Sequence, residues 1–142
     1  MAWAASFQSP VASLILLAVA IANVADNAAS APLTNIQISL HESDPSAGNQ
    51  TTGEGNYTSY ARVAVARSAS GWTDTAGNVS NDAEIAFPAC TGGSDTASHV
   101  GLGSASSGTG VLIIGGALTA SLAISSGITP RFAATALVVD VA

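Results

Sequence analysis

The residues able to do chemistry are few. His41 and His99 are the only histidines, Cys90 is the only cysteine, and nine carboxylates accompany three arginines and no lysine. A hydrolytic site needs a nucleophile, a base within hydrogen-bond reach and a third group that orients the base. His41 stands beside Glu42 and Asp44, so a carboxylate-paired imidazole is conceivable, but the surrounding alternation places it on the polar face at a solvated strand end. His99 precedes Val100 and Gly101 and reads as an interior or interface histidine. With nineteen serines in the chain, some Ser, His and Asp side chains become neighbours by chance, and no motif ties them together. One cysteine and two distant histidines lack zinc-site spacing, and no run of alternating aspartates resembles a calcium loop. The glycines of GLGSASSGTG miss the dinucleotide pattern, because the third comes late and a strand follows where a helix is required. They read as hairpin and bulge glycines. Cys90 reads as a small buried hydrophobe. Asn49, Asn56 and Asn78 head N-x-S/T triplets, which a chain so rich in Ser and Thr produces by chance. The expectation is a protein that is not an enzyme and has no catalytic, metal or cofactor-binding residues.

Composition narrows the class. Only 8% of residues are charged and 48% are hydrophobic, against about 25% charged in ordinary soluble domains. Little of the surface is therefore designed to face water alone. A net charge of −6 argues against direct nucleic-acid binding, which depends on basic side chains that displace counterions from phosphates. A lone cysteine excludes an internal disulfide, and a chain of this length can bury roughly 68–70% of its unfolded surface without such a staple.

The elements that would position any site begin with SPVASLILLAVAIANVAD, residues 9–26, uncharged up to its last position. It falls short of the roughly 20 apolar residues needed to cross a bilayer, and no basic residue precedes it as in a secretory signal. A retained, buried helix is expected, with no membrane partner. Ser9 fits the N-cap and Pro10 the first turn, and Asp26 and Asn27 mark its end. Val11, Leu14, Ile15, Ala18, Ile21 and Ala22 form one stripe, while Ala12, Leu16 and Val19 occupy much of the opposite face. A helix apolar nearly all round is enclosed. One sheet covers one side, so a second subunit is expected on the other.

After a small-residue linker closed by Pro32 the period changes to two. TNIQISLHE alternates, with Ile36, Ile38 and Leu40 on one face and Gln37, Ser39 and His41 on the other, as in a half-buried strand. Residues 43–59 have no periodicity and read as a long surface loop, a candidate arm for reaching a neighbour. YARVAVAR, WTDTAGNVS, AEIAFP, SHVGLGS, GVLIIGGAL, SLAIS and ALVVDV supply further strands between Gly-rich turns. The fold class expected is mainly β, an antiparallel β-sandwich or barrel of about eight strands with one N-terminal apolar α-helix. Residues 1–32 hold the helix and linker and residues 33–142 the β domain, in a single globular unit overall. Tyr57, Tyr60 and Trp72 lie around the long loop and the strand after it. A sugar-binding platform would use them exposed; packing of Tyr60 and Trp72 against the sheet or a neighbour is favoured. The candidate interface is then Val11, Leu14, Ile15, Leu16, Val19, Tyr57, Tyr60 and Trp72.

The order of several short motifs adds a resemblance. ISLHESDP (38–45), GEGNYTSYARVAV (53–65), IAFPACT (85–91), SHVGL (98–102), GVLIIGGALT (110–119) and RFAATALVVDV (131–141) follow one another as in a family of small tailed-bacteriophage virion proteins, often labelled tail-fibre-like. That family carries an N-terminal helix, an L-x-x-x-DP strand and loop, a Gly-rich stretch, YAR-x-x-V, I-x-FP-x-x-T, H-x-G and a closing F…L-x-V strand. The chain departs from it in lacking a Trp after the FP-x-x-T segment and an acidic residue after the glycine that follows His99. The resemblance implies a non-enzymatic building block of a phage particle, located in the virion and assembled in the host bacterial cytoplasm. The acidic balance and the enclosed helix favour a capsid cement or decoration protein that clamps the major capsid protein as a homo-oligomer, a trimer or larger. The alternative is a tail fibre, baseplate or fibre-adaptor component in contact with tail proteins, and the third reading is a receptor- or glycan-binding module.

Overall fold

A computed structural model describes residues 5–20 and 33–140. One helix, α1 (Ala5–Leu16), precedes β1 (Asn35–His41), β2 (Val63–Ala66), β3 (Trp72–Thr75), β4 (Asn78–Asn81), β5 (Ile85–Ala86), β6 (Ser94–Gly103), β7 (Leu112–Ser125), β8 (Arg131–Phe132) and β9 (Val138–Asp140). The strands divide among open sheets of order β2-β1-β6-β7, β3-β4-β9 and β5-β8. The pairs β1–β6, β6–β7, β3–β4 and β4–β9 are antiparallel. The protein is mainly β, with one short helix at its N-terminus.

Contacts group the described residues into two compact units. The first combines the residues through Asn35 with Ala66–Ile85 and the residues from Phe132 onward; the second combines Ile36–Val65 with Ala86–Arg131. The composition boundary after residue 32 thus differs from the contact grouping, in which α1 packs against β3 and β4.

In the second unit β1 is central, and its environment corrects the half-buried reading. Its alternation is present, but both faces are covered: Ile36, Ile38 and Leu40 are buried, and so are Gln37, Ser39 and His41. The strand sits between β2 and β6, and the loop of residues 43–59 folds back over its polar face. His41 is therefore not a solvated strand end. The segments GVLIIGGAL and SLAIS form one strand, β7. Its register against β6 breaks between Ala117 and Leu122, where the four residues 118–121 stand opposite Ser98 alone, so the Thr119-Ala120 separator is a bulge within a strand.

In the first unit β3 and β4 form a hairpin through Ala76 and Gly77, both in the left-handed region at φ 56° and 94°. This is the two-residue loop whose twist matches the strands it joins. Register places Trp72, Asp74, Val79, Asn81 and Val139 on one face. Asp74 bonds to α1 from that face, so α1 lies over it. The helix is displaced and shortened relative to the sequence expectation. Ser9 is an interior residue and no N-cap, Pro10 lies within the helix, and the helix ends at Leu16. Asp26 and Asn27, the expected terminus, and Ile21 and Ala22 lie outside the described residues. Ala18 adopts φ 60°, and the N–H groups of Leu17 and Val19 both donate to the Ser13 carbonyl. Arg67 completes the stop: its Nε donates to the Ile15 carbonyl at 2.6 Å, and its terminal nitrogens to the carbonyls of Leu14 and Leu33. A guanidinium satisfies orphan carbonyls and opposes the negative end of the helix dipole.

Candidate functional site

The face of α1 that packs on its own sheet is its least greasy. Ser9, Ala12, Ser13 and Leu16, spaced three and four apart, share that side. Ala12 and Leu16 are buried at 1% and 0% exposure. The hydroxyls of Ser9 and Ser13 both donate to Oδ2 of Asp74, the latter at 2.8 Å, while Oδ1 accepts the Gly77 N–H at 2.9 Å. Burial works to raise the Asp74 carboxyl, but the hydrogen bonds from Ser9, Gly77 and Ser13 outweigh it and hold the group below its ordinary value. Val11, Leu14 and Ile15 are left half-buried and Val19 is 53% exposed. Of the expected interface, Leu16 and Trp72 are thus enclosed by the chain itself. Trp72 is fully buried, and its Nε1 is the only buried side-chain nitrogen or oxygen without a partner among the described residues. Tyr57 and Tyr60 belong to the other unit. Tyr57 is buried, its hydroxyl donating to the Pro88 carbonyl at 2.9 Å; burial pushes its phenol up to about 12. Tyr60 donates to Glu54 at 3.0 Å and accepts the Leu40 N–H at 3.1 Å. With these aromatics spent internally, they form no exposed platform for stacking a sugar.

The second unit places the groups most like a catalytic pair. Ser39 Oγ lies 2.8 Å from His41 Nε2, and His41 Nδ1 lies 2.9 Å from the Thr52 carbonyl. A carbonyl only accepts, so Nδ1 carries the proton and Nε2 accepts from the Ser39 hydroxyl. This is a nucleophile–base geometry, but both residues have 0% exposure, and a backbone carbonyl stands where a triad has a carboxylate. Across the sheet, a Cβ on Gly101 would come within 2.6 Å of His41 Nε2 and 2.7 Å of Ser39 Oγ; the glycine opposite Ser39 makes room for the pair. Burial, the largest influence, lowers the His41 pKa, partly offset by the bond to Thr52 and the charge of Glu54. A neutral, fully hydrogen-bonded imidazole with no path for substrate is a packing device.

Around it, the loop expected as a free arm is pinned. Arg62 forks onto Glu54 at 2.6 and 2.7 Å and donates to the carbonyls of Ala105 and Gly108 at 2.7 Å each; its side chain is 2% exposed. The buried Gln50 amide bonds both backbone groups of Ala105, and the Gln50 N–H reaches the Thr109 carbonyl. Glu54 and Gln50, read from sequence only as loop polars, hold residues 43–59 and 104–110 together. No motif marked them: Gln50 reaches residues 55 and 59 positions away, and Glu54 acts through Arg62, whose carbonyl partners lie 43 and 46 positions from it.

An open hollow of about 580 Å3 lies beside Glu42, Asp95, Ser98 and Ile124. Asp95 accepts the N–H groups of Asn56 and Thr96 at 2.8 and 2.7 Å, and its hydrogen bond and charge raise the Glu42 carboxyl. Among the described residues no group of three His, Cys, Asp or Glu side chains could hold a metal ion, and no helix is long and apolar enough to cross a membrane. His99 bonds the Ser98 hydroxyl, and Cys90 is buried as expected, its Sγ 3.3 Å from the Gly92 carbonyl.

What the geometry offers is a set of stapled loops and partly covered apolar side chains, which suits assembly better than chemistry. The family described as podophage GP4 fiber I protein gp80 matches residues 13–140. The chain belongs to this family. It is therefore a phage virion structural protein of the tail-fibre kind, as the order of motifs implied. No curated protein matches it. The match reverses the ranking of the two virion readings, because a fibre protein fits the former alternative at least as well as a capsid cement.

Proposed function

We propose that the protein is a component of the podophage tail fibre that works by assembly, without catalysis. The observation that carries this reading is the fibre-family match over residues 13–140. The structure supports it physically: the polar side chains with catalytic potential are sealed, while the apolar side chains Val11, Leu14 and Ile15 of α1, and Val19 just beyond it, are only partly covered by their own unit. These form the contact to a neighbouring tail protein or to another copy of the chain, and the functional form is a homo-oligomer joined to tail proteins. Capsid cement would require several hundred copies spread over the shell. Counting copies in purified virions by quantitative mass spectrometry, with gold-labelled antibody to locate them, tests the proposal. A few tens of copies at the tail are expected. Hundreds of copies over the capsid would overturn it.

A further inference from the structure

We propose that the free edge of β7 over residues 112–117 is a self-pairing edge, by which two copies of the chain join their four-stranded sheets through antiparallel backbone hydrogen bonds. The strand is terminal in its sheet, with β6 on one side and no strand on the other among the described residues. Soluble proteins guard such edges with charges, prolines, bulges or a covering element, because the unpaired backbone groups template another strand. Residues 112–117, LIIGGA, carry neither charge nor proline. A one-residue bulge at Ile113 interrupts the register within the segment, and residues 114–117 then run regularly up to the bulge of residues 118–121; Val111 beside the segment is 65% exposed.

Gly116 points to what covers the edge. It lies within a strand, its φ is not positive, and a Cβ built on it would meet nothing within 4 Å. Nothing among the described residues requires a glycine there, although glycine weakens a strand and often marks close approach of another backbone. Gly115 differs, since a Cβ there would come within 3.1 Å of Ser46 Oγ and 3.2 Å of Pro45 Cγ.

The occupant that fits is a second copy. In an antiparallel pair, residues directly opposite share a face, so self-pairing about Gly115 sets Ile114 against Gly116 and Ile113 against Ala117. Large side chains then meet small ones on either side of a central Gly115–Gly115 pair. Parallel in-register stacking would instead set isoleucine on isoleucine and glycine on glycine. Charge agrees: in a chain of net charge −6, no Asp, Glu, Lys or Arg occurs between Asp95 and Arg131, so two copies meet here without opposing like charges. The arrangement is isologous, as most closed homo-oligomeric contacts are. At about 3.4 Å per residue the paired edge is about 20 Å long, so the contact is weak alone and is strengthened where copies are already held side by side.

Sedimentation velocity of the full chain, up to millimolar concentration, is the first test. A concentration-dependent dimer is expected, and Gly116→Val should weaken it at least tenfold while leaving the thermal midpoint unchanged or higher, since a Cβ there meets no described atom within 4 Å. The double variant Ile113→Cys/Ala117→Cys should form disulfide-linked dimers at least tenfold faster than either single variant; Cys90, being buried, does not compete. A monomer at every concentration, a dimer untouched by Gly116→Val, or equal cross-linking by the single variants would overturn the proposal.

Discussion

Replacing Leu16 by Ala tests how the N-terminal helix is used. Leu16 has 0% exposure and lies on the side of α1 that packs against β3 and β4. Its neighbour one turn back on that side is already an alanine, Ala12, so little can move in to fill the space. Removing a fully buried isobutyl group from such a site costs about 3–4 kcal/mol, within the range for leucine-to-alanine changes that leave a cavity. Since whole domains are stable by only about 5–15 kcal/mol, a large part of the stability of this unit should be lost. Val19→Ala is the matched control: at 53% exposure it should change stability by less than about 0.5 kcal/mol. Urea unfolding followed by tryptophan fluorescence and far-ultraviolet circular dichroism gives both numbers. If Leu16→Ala costs less than about 1 kcal/mol, or if Val19→Ala costs as much, α1 is not docked by the Ala12–Leu16 side and the assignment of its outer face to a neighbour fails with it.

Three other perturbations probe the devices that hold each unit. Ala76 occupies the left-handed region at φ 56° in the β3–β4 turn, where asparagine is preferred, so Ala76→Asn should stabilise by about 0.5–1 kcal/mol and raise Tm by about 2–4 °C. Arg62→Lys keeps the charge but cannot reproduce the fork onto Glu54 together with the bonds to Ala105 and Gly108; a loss of about 2 kcal/mol is expected, with faster amide exchange at Gln50 and Ala105 in hydrogen-exchange NMR. His41 is held below its ordinary 6.5, so the unfolded chain takes up a proton that the folded one resists. Its contribution is intact above about pH 6.5 and is lost as pH falls from there through the folded pKa. Asp74, held below 3.8, adds a second loss at lower pH. Thermal melts from pH 8 to 3 should show both steps, and His41→Gln should remove the first while sparing the second.

Period-two alternation in NIQISLH placed Ile36, Ile38 and Leu40 on one face correctly, because side-chain direction along a strand is a local property. That the other face is buried too was not legible: it depends on a carbonyl at Thr52 and on a glycine at 101, which leaves room for Ser39 and His41. The loop of residues 43–59 shows the same limit. Gly, Ser, Asn and Thr compose a mobile arm and a pinned loop equally well, and the difference lies in Arg62, Gln50 and the carbonyls of residues 105 and 108. The end of α1 was misplaced because apolar periodicity continues past the point where Arg67, some fifty positions away, caps the carbonyls of Leu14 and Ile15. Trp72, read as packed against the sheet or a neighbour and placed in the candidate interface, is fully buried within the chain.

The same interior use of polar groups bears on how the protein meets its neighbours. Arg62 and Arg67 are turned onto Glu54 and onto backbone carbonyls, Asp74 onto two serines, and Asp95 onto backbone N–H groups. Charges engaged in this way steer no partner from a distance, and the remaining acids leave the surface net negative, which opposes rather than drives self-association. On the proposed assembly role, recognition rests on apolar area and unpaired backbone, whose energies depend little on salt and strongly on fit. Such contacts are short-ranged and individually weak, and they become durable only when many copies are held in register, which is the condition a fibre attached to a virion provides.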